Sequence, residues 1–292
     1  MPQNKALGAT VVMLLSMIVL AAGQASVAGA EPDPDTMVRE LLAGLNGHMQ
    51  ICALTSTHGE FSMDRAYRVQ NRLARQRAAV AGPVCGYKVA YASEAARKQF
   101  GIDEPARGPL FLSQRVPSAS TLLAAAWNEI TLETEIAFTI GKRIDAPIAD
   151  VAELKPFVKS VQAAFDAGDF PYDVSKANPG AADMVAIGTG AHVFVLGPAV
   201  DPNAVDIDAI DLSLTRNGEV IRQSPSRDIM GSPWNSLLWC VNHLNRFGLR
   251  LEPGMVVLSG TAAPAYKVKG DELRGQYVGD CGPLGRVLMT IE

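Results

Sequence analysis

The chain of 292 residues has only four cysteines and four histidines, and neither set has the spacing of a metal or redox site. The lack of a Cys-x-x-Cys pair argues against structural zinc, and no cysteine has a neighbouring histidine that would favour a nucleophilic thiolate. A phosphate-binding glycine loop, a dinucleotide fingerprint and a nucleophile elbow are also absent. Lys and Arg number 26 against 30 Asp and Glu, with no dense basic patch, which argues against a nucleic-acid partner.

Residues 1–30 have the pattern of a secretory signal peptide. Lys5 supplies a positive start, an apolar run extends from Leu7 to Ala22, and Ala28-Gly29-Ala30 is a small-residue cleavage site. An uncleaved membrane anchor is the alternative, because the apolar run is near the lower length limit of a transmembrane helix. The polar segment that follows favours removal after Ala30. We therefore expect a periplasmic or secreted protein that has no membrane contact after cleavage.

Residues 31–292 are predicted to form one α+β domain, with a small helical N-terminal part up to about residue 83 and a large mixed β core. Export would permit disulfides in this domain, and the sequence alone does not decide whether Cys52 and Cys85 form one. Helix-spaced apolar residues predict helices over Asp35–Gly47, Ser62–Ala81 and Trp234–Phe247.

Several strands and connections are predicted between these helices. Alternation and turn residues predict strands over Val84–Tyr91, Ala191–Leu196, Asp211–Arg216 and Glu219–Gln223, with Asn217-Gly218 as a hairpin turn. The remaining expectations are a turn before a short strand at Gly108–Phe111, a helix or helix-plus-strand over Asp150–Ala167, and a loop over Ala177–Ala182.

The run from Thr131 to Ile140 alternates with period two and predicts a further strand. Glu133 and Glu135 then project together from one face, and Leu132 and Ile136 from the other. Two adjacent carboxylates repel each other unless a cation lies between them, and Mg²⁺ or Mn²⁺ prefers oxygen ligands. The pattern therefore indicates a divalent metal site, with an exposed and solvated strand face as the alternative.

Seven short motifs follow one another along the chain from about Asp64. They are Ala66–Gln70, Gly86–Val89, Gly108–Phe111, Glu133–Phe138, Phe194–Gly197, Arg216–Val220 and Leu258–Thr261. Each is weak alone, but in this order they resemble the 2-keto-4-pentenoate hydratase branch of the fumarylacetoacetate hydrolase superfamily. The resemblance implies a β core of the fumarylacetoacetate-hydrolase type, a divalent metal and a small 2-oxo acid substrate. Family members often associate, so a homo-oligomer is compatible with it.

The resemblance also implies roles for individual residues. In the family, the two strand carboxylates and a third acid hold the metal, and Asp166 stands near the third position; a loop position beside Asp169 is the alternative. Lys88 would act in an acid–base or electrostatic role toward the 2-oxo acid, and an exposed strand lysine is its alternative. Ser259 would offer its hydroxyl to the substrate carboxylate, unless the Leu-Ser-Gly turn is purely structural.

An exported, metal-dependent lyase that hydrates a 2-keto-4-pentenoate-type substrate is the function that the resemblance implies. A decarboxylase or an acylpyruvate hydrolase would use the same metal site, so these reactions stay open. The chain departs from the hydratases at Leu112-Ser113-Gln114, because they carry an acid close behind the residue that corresponds to Phe111. This departure, together with export, supports a second hypothesis, a non-catalytic periplasmic binding protein that retains the metal.

Overall fold

The computed structural model describes residues 33–46, 49–176, 178–268, 270 and 273–292. The predicted signal peptide at residues 1–30 lies outside the described residues. Every helix within the described ranges is too short or too polar to cross a membrane. The four cysteines are free thiols, so Cys52 and Cys85 do not form a disulfide in this structure.

The N-terminal part is helical, as the apolar spacing predicts. Helix α1 covers Pro34–Asn46, α2 covers Leu54–His58 and α3 covers Met63–Ala81. The predicted start of the third helix is confirmed, because the Ser62 hydroxyl accepts a hydrogen bond from the Arg65 amide and caps the helix. The helix ends at Ala81 and is followed by Gly82, whose positive φ of 77° is a conformation that glycine adopts without strain.

The core of the fold is an eight-stranded mixed sheet. Its strands are β1 (Val84–Ala90), β2 (Ala106–Phe111), β3 (Arg115–Val116), β5 (Ile130–Ile140), β6 (Val158–Asp169), β7 (Ala191–Leu196), β10 (Val256–Leu258) and β11 (Tyr266–Lys267). Their order is β2-β1-β10-β5-β6-β7-β3, and β11 pairs with β5. The β1–β10 and β3–β7 pairs are parallel and the others antiparallel, so the predicted mixed β core is confirmed.

A second sheet has five strands in the order β4-β13-β12-β8-β9. These strands are β4 (Ser120–Leu122), β8 (Asp211–Arg216), β9 (Glu219–Pro225), β12 (Gly275–Asp280) and β13 (Arg286–Ile291). The predicted turn at Asn217-Gly218 joins β8 to β9, and both residues have positive φ, as a tight hairpin requires. The remaining helices are α4 (Glu94–Phe100), α5 (Val151–Leu154), α6 (Ala181–Ala186) and α7 (Pro233–Arg246).

The large sheet is covered on both faces. On one face, Ile136 and Phe138 of β5 share a core with the second sheet and with Trp234 of α7. On the other face, Ala106 of β2 shares a core with α1, α3 and α6, which is the helical side of the sheet. Strands inside such a sheet are buried on both sides, so Glu135 of β5 is fully buried and Glu133 is only partly exposed.

Two local expectations were wrong in part, and one that left two alternatives is resolved. The strand expected at Gly108–Phe111 is present, but no turn precedes it there, because these residues all belong to β2; Pro109 fits there because β2 is an edge strand of the sheet. For Asp150–Ala167, the helix-plus-strand alternative is confirmed: the short helix α5 is followed by a 3-10 turn at Lys155–Phe157 and the long strand β6. The loop expected over Ala177–Ala182 ends earlier, because α6 begins at Ala181 and the Asp183 carboxylate accepts a hydrogen bond from the Gly180 amide.

Candidate metal centre

Three strands bring the predicted site residues onto the helical side of the large sheet. Glu133 and Glu135 are two residues apart on β5 and therefore share a face. Asp166 lies on β6 directly opposite Glu133 in the antiparallel pairing. Lys88 lies on β1, which is separated from β5 by the single strand β10. Residues that are distant in the chain are thus close together because of strand register.

All four side chains are buried or nearly so. Glu135 and Asp166 have no exposed surface, and Lys88 is 2% exposed. Glu133 retains 18% of its side-chain surface and is the point of contact with solvent. One oxygen from each carboxylate lies within 4.8 Å of the other two. A solvated strand face for the glutamates, an exposed position for Lys88 and a loop position for Asp166 are therefore all excluded.

Several carboxylate oxygens of the cluster have no hydrogen-bond donor. Oε2 of Glu135 accepts a hydrogen bond of 2.6 Å from the Gly260 amide, but its Oε1 has no partner among the described residues. Asp166 forms an ion pair with Lys88 through Oδ2, while its Oδ1 is also without a partner there. Buried polar atoms are nearly always paired, so these orphan oxygens require an explanation.

A hard divalent cation fits these residues. The donor set consists of three carboxylates, which is the oxygen chemistry that Mg²⁺, Mn²⁺ and Ca²⁺ prefer over softer metals. Glu135 and Asp166 each have an oxygen without a partner, and both belong to the cluster in which one oxygen from each of the three carboxylates lies within 4.8 Å of the others. The observed burial and the missing donors are both accounted for if these carboxylates hold a cation.

The electrostatics of the cluster favour the binding of positive charge. Burial raises the pKa of Glu133 to about 7, with a contribution from Asp166, although the Lys88 ammonium opposes the change. Burial and the two neighbouring carboxylates raise the pKa of Glu135 well above its ordinary value. Burial alone would lower the pKa of Lys88, but Asp166, Glu133 and Glu135 outweigh it and raise that pKa. Lys88 is therefore cationic at neutral pH.

Ser259 follows β10 and is fully buried beside the cluster. Its hydroxyl accepts a hydrogen bond from the Ile136 amide at 3.1 Å and donates one to the Gly260 carbonyl at 2.8 Å. Its own amide donates to the Ile136 carbonyl. This is the geometry of a structural turn, the alternative left open by the sequence, and a contact with substrate stays a prediction.

Gly260 is a site residue that the sequence did not single out. Its φ is +78°, and a Cβ added there would lie 2.7 Å from Cβ of Ala92, so the position requires glycine. The close approach allows its amide to reach Glu135. The signal was present in the Leu-Ser-Gly motif, but only the fold shows which carboxylate the amide contacts.

The segment directly after Phe111, Leu112-Ser113-Gln114, forms a 3-10 turn without an acidic side chain. Leu112 and Ser113 are exposed on a 3-10 turn. The Gln114 side chain is committed to the backbone, because it accepts a hydrogen bond from the Phe111 amide and donates one to the Ala191 carbonyl. Gln114 is therefore not free to contact a ligand at this place.

Comparison with known proteins identifies the family of this fold. The family described as fumarylacetoacetate (FAA) hydrolase C-terminal matches residues 84–285. A 2-keto-4-pentenoate hydratase of Paraburkholderia xenovorans (strain LB400) is 25% identical over 245 residues, which are 84% of this chain and 90% of the relative. A 2-hydroxyhexa-2,4-dienoate hydratase of Comamonas testosteroni is 27% identical over 79% of this chain and 88% of the relative. These matches confirm the resemblance predicted from the seven motifs.

Solved structures show the same fold. The 4-oxalocrotonate decarboxylase from Pseudomonas putida G7, complexed with magnesium and adipate, has a TM-score of 0.82 at 19% identity and covers 89% of this chain and 97% of its own. A fumarylpyruvate hydrolase from Pseudomonas aeruginosa, in complex with Mn²⁺ and pyruvate, has a TM-score of 0.56 at 20% identity and covers 70% and 88% of the two chains. Both similar structures contain a divalent cation.

Proposed function

This chain belongs to the fumarylacetoacetate hydrolase family, and from that premise we propose that it is a metal-dependent, hydratase-type lyase. Its substrate would be a 2-oxo acid or the enol of one, of the 2-keto-4-pentenoate type. The observation that carries the proposal is the buried cluster of Glu133, Glu135 and Asp166 beside Lys88, with carboxylate oxygens that lack donors. The reaction type is supported by relatives that are named as hydratases and that this chain matches over most of their length.

The carboxylates would bind the metal cation, and Lys88 would transfer a proton. Glu133, Glu135 and Asp166 would hold Mg²⁺ or Mn²⁺, which when bound supplies Lewis-acid polarisation of the 2-oxo group. Lys88 holds a proton at Nζ within the same buried space, where it can protonate a substrate carbon or stabilise an enolate oxygen. The Gly260 amide fixes the orientation of Glu135. Apolar residues on the same face, Ala137, Phe194 and Leu258, limit the access of water.

Decarboxylation of a related 2-oxo acid is the second candidate. Hydration requires that water be activated, and the acid that the hydratases carry behind the Phe111 position is replaced by Leu112-Ser113-Gln114 here. Loss of carbon dioxide requires no attacking water and so no base to activate it. The same carboxylates and Lys88 would serve both reactions, because each passes through an enolate.

Calorimetric titration of Mn²⁺ into the protein, without and with oxalate, tests the proposed centre. Oxalate mimics the chelating form of a 2-oxo acid. We expect single-site binding of Mn²⁺ that oxalate strengthens. Glu135→Gln, which keeps an acceptor for the Gly260 amide, should weaken Mn²⁺ binding at least about tenfold. Glu219→Gln, on the exposed hairpin, is the matched control and should bind as the wild type does. Equal affinity in all three proteins would refute the centre.

Turnover separates the candidate reactions. Loss of the ultraviolet absorbance of 2-hydroxypenta-2,4-dienoate would establish a hydratase. Release of carbon dioxide from 4-oxalocrotonate would establish a decarboxylase. Binding of Mn²⁺ and oxalate with no turnover of either compound would support the non-catalytic alternative instead.

Export is also part of the proposal, and it depends on residues 1–30 alone. The charged start, apolar run and Ala28-Gly29-Ala30 site support a signal peptide that is cleaved after Ala30. N-terminal sequencing of the protein recovered from the periplasm of an expressing bacterium would test this. A chain that begins at Glu31 is expected, whereas an intact N-terminus in the cytoplasmic or membrane fraction would contradict it.

A further inference from the structure

Tyr91 departs from the alternation of the strand that carries Lys88. Strand β1 ends at Ala90, and continued alternation would place Tyr91 with Tyr87 and Val89 in the core that faces the second sheet. Tyr91 instead packs with Ala90 against the helical-side core. Its φ of +57°, which is rare for a residue with a side chain, accounts for the change. The backbone thus directs Tyr91 to the side of the sheet that carries the carboxylates.

This conformation is held in place by its neighbours. The Tyr91 ring packs against Phe100 of α4, with 4.5 Å between ring centroids. The Arg97 guanidinium donates hydrogen bonds to the carbonyls of Tyr91 and Ala92, at 3.2 and 2.6 Å. Residues held in sparsely populated backbone conformations cluster at functional sites, so this one calls for a functional explanation.

The hydroxyl of Tyr91 has no hydrogen-bond partner in the part of the chain that the structure describes, although the residue is only partly exposed. Burial raises the pKa of Tyr91, and the charge of Glu133 raises it further. The hydroxyl is therefore a protonated donor within the electrostatic reach of Glu133. The hydroxyl is not among the buried atoms that lack a partner, so it is accessible and can donate to an acceptor that arrives with a ligand.

We propose that Tyr91 is a further residue of the active site, whose hydroxyl donates a hydrogen bond to an oxygen of the bound 2-oxo acid. This inference rests on the proposed function, because it requires such a ligand beside the carboxylates. Lys88 and Tyr91 are three residues apart on one continuous segment, so the end of β1 would supply both a cationic and a neutral donor. Tyr91 would position the substrate, while the carboxylates would hold the cation.

The test compares Tyr91→Phe with Tyr87→Phe in the full chain. Both changes remove only a phenol hydroxyl, but Tyr87 projects from β1 toward the opposite face. Mn²⁺ affinity should be unchanged in both variants. Oxalate affinity in the presence of Mn²⁺ should fall about tenfold or more in Tyr91→Phe alone, because a hydrogen bond to a charged acceptor is lost. With an active wild type, kcat/KM should fall by a similar factor.

Thermal unfolding distinguishes a loss of oxalate binding from a folding defect. Thermal unfolding midpoints of the metal-free proteins should agree, and the added stabilisation by oxalate with Mn²⁺ should be smaller in Tyr91→Phe. Oxalate affinity equal to that of the wild type would overturn the role of Tyr91 while leaving the proposed function intact. A wild type that binds Mn²⁺ but not oxalate would overturn both the substrate class and the role of Tyr91.

Discussion

Removal of the Lys88 charge is the most informative perturbation of the cluster. Lys88→Met keeps most of the side-chain volume and leaves three carboxylates in the interior without their ammonium partner. Lys88 Nζ lies 3.9 Å from Glu133 Oε2 and is also paired with Asp166. A pair about 4 Å apart is worth about 4 kcal/mol at an effective dielectric constant of about 20. Removal of one partner of a buried pair typically costs about 3–5 kcal/mol.

We therefore expect metal-free Lys88→Met to lose about 3–5 kcal/mol of unfolding free energy. Proton uptake by Glu133, whose pKa is already about 7, would limit the loss at acid pH, so the deficit should grow as the pH rises. Mn²⁺ should act in the opposite direction. Without the competing ammonium, the carboxylates should bind Mn²⁺ more tightly, and each tenfold gain in affinity adds about 1.4 kcal/mol at saturating metal.

Urea unfolding with a chelator and with excess Mn²⁺ measures both effects. Lys142→Met is the matched control, because Lys142 is exposed and has no ion pair in the described part of the chain. The unfolding free energy of this variant should stay within about 0.5 kcal/mol of the wild-type value. The reasoning would be refuted if metal-free Lys88→Met were as stable as this control. Smaller stabilisation by Mn²⁺ than in the wild type would refute the charge argument.

Two further predictions concern pH and Ser259. The pKa of Glu133 is raised from 4.5 to about 7 in the folded protein, so between these pH values the folded state binds a proton that the unfolded state does not. The stability of the metal-free protein should therefore fall as the pH rises through that window. Mn²⁺ affinity should rise over the same window because the proton no longer competes with the metal, and calorimetry at pH 5.5 to 8.5 would measure both trends. Ser259→Ala should cost about 1–3 kcal/mol of stability, because the Ile136 amide loses its buried acceptor, with KM unchanged; a raised KM at wild-type stability would instead support the predicted contact with substrate.

Local sequence patterns determined the elements and the identity of the strand carboxylates. Period-two alternation is a property of a single strand, so Thr131–Ile140 alone was sufficient to place Glu133 and Glu135 on one face. The helix start at Ser62 and the Asn217-Gly218 hairpin depend on residues within one turn of the chain, and both were predicted. The turn expected at the start of Gly108–Phe111 was wrong because glycine and proline also occur in edge strands, which a local pattern does not distinguish from turns.

Tertiary structure alone decided how these residues form a site. The burial of Glu135 depends on layers that cover both faces of the sheet, and the partnership of Glu133 with Asp166 depends on the register of β5 against β6. Lys88 reaches the carboxylates across β10, which comes from a segment more than a hundred residues later in the chain. Tyr91 turns to the same side through a backbone conformation that alternation does not predict. The physical reason is that register, burial and electrostatic coupling arise between segments, whereas propensity and periodicity act within them.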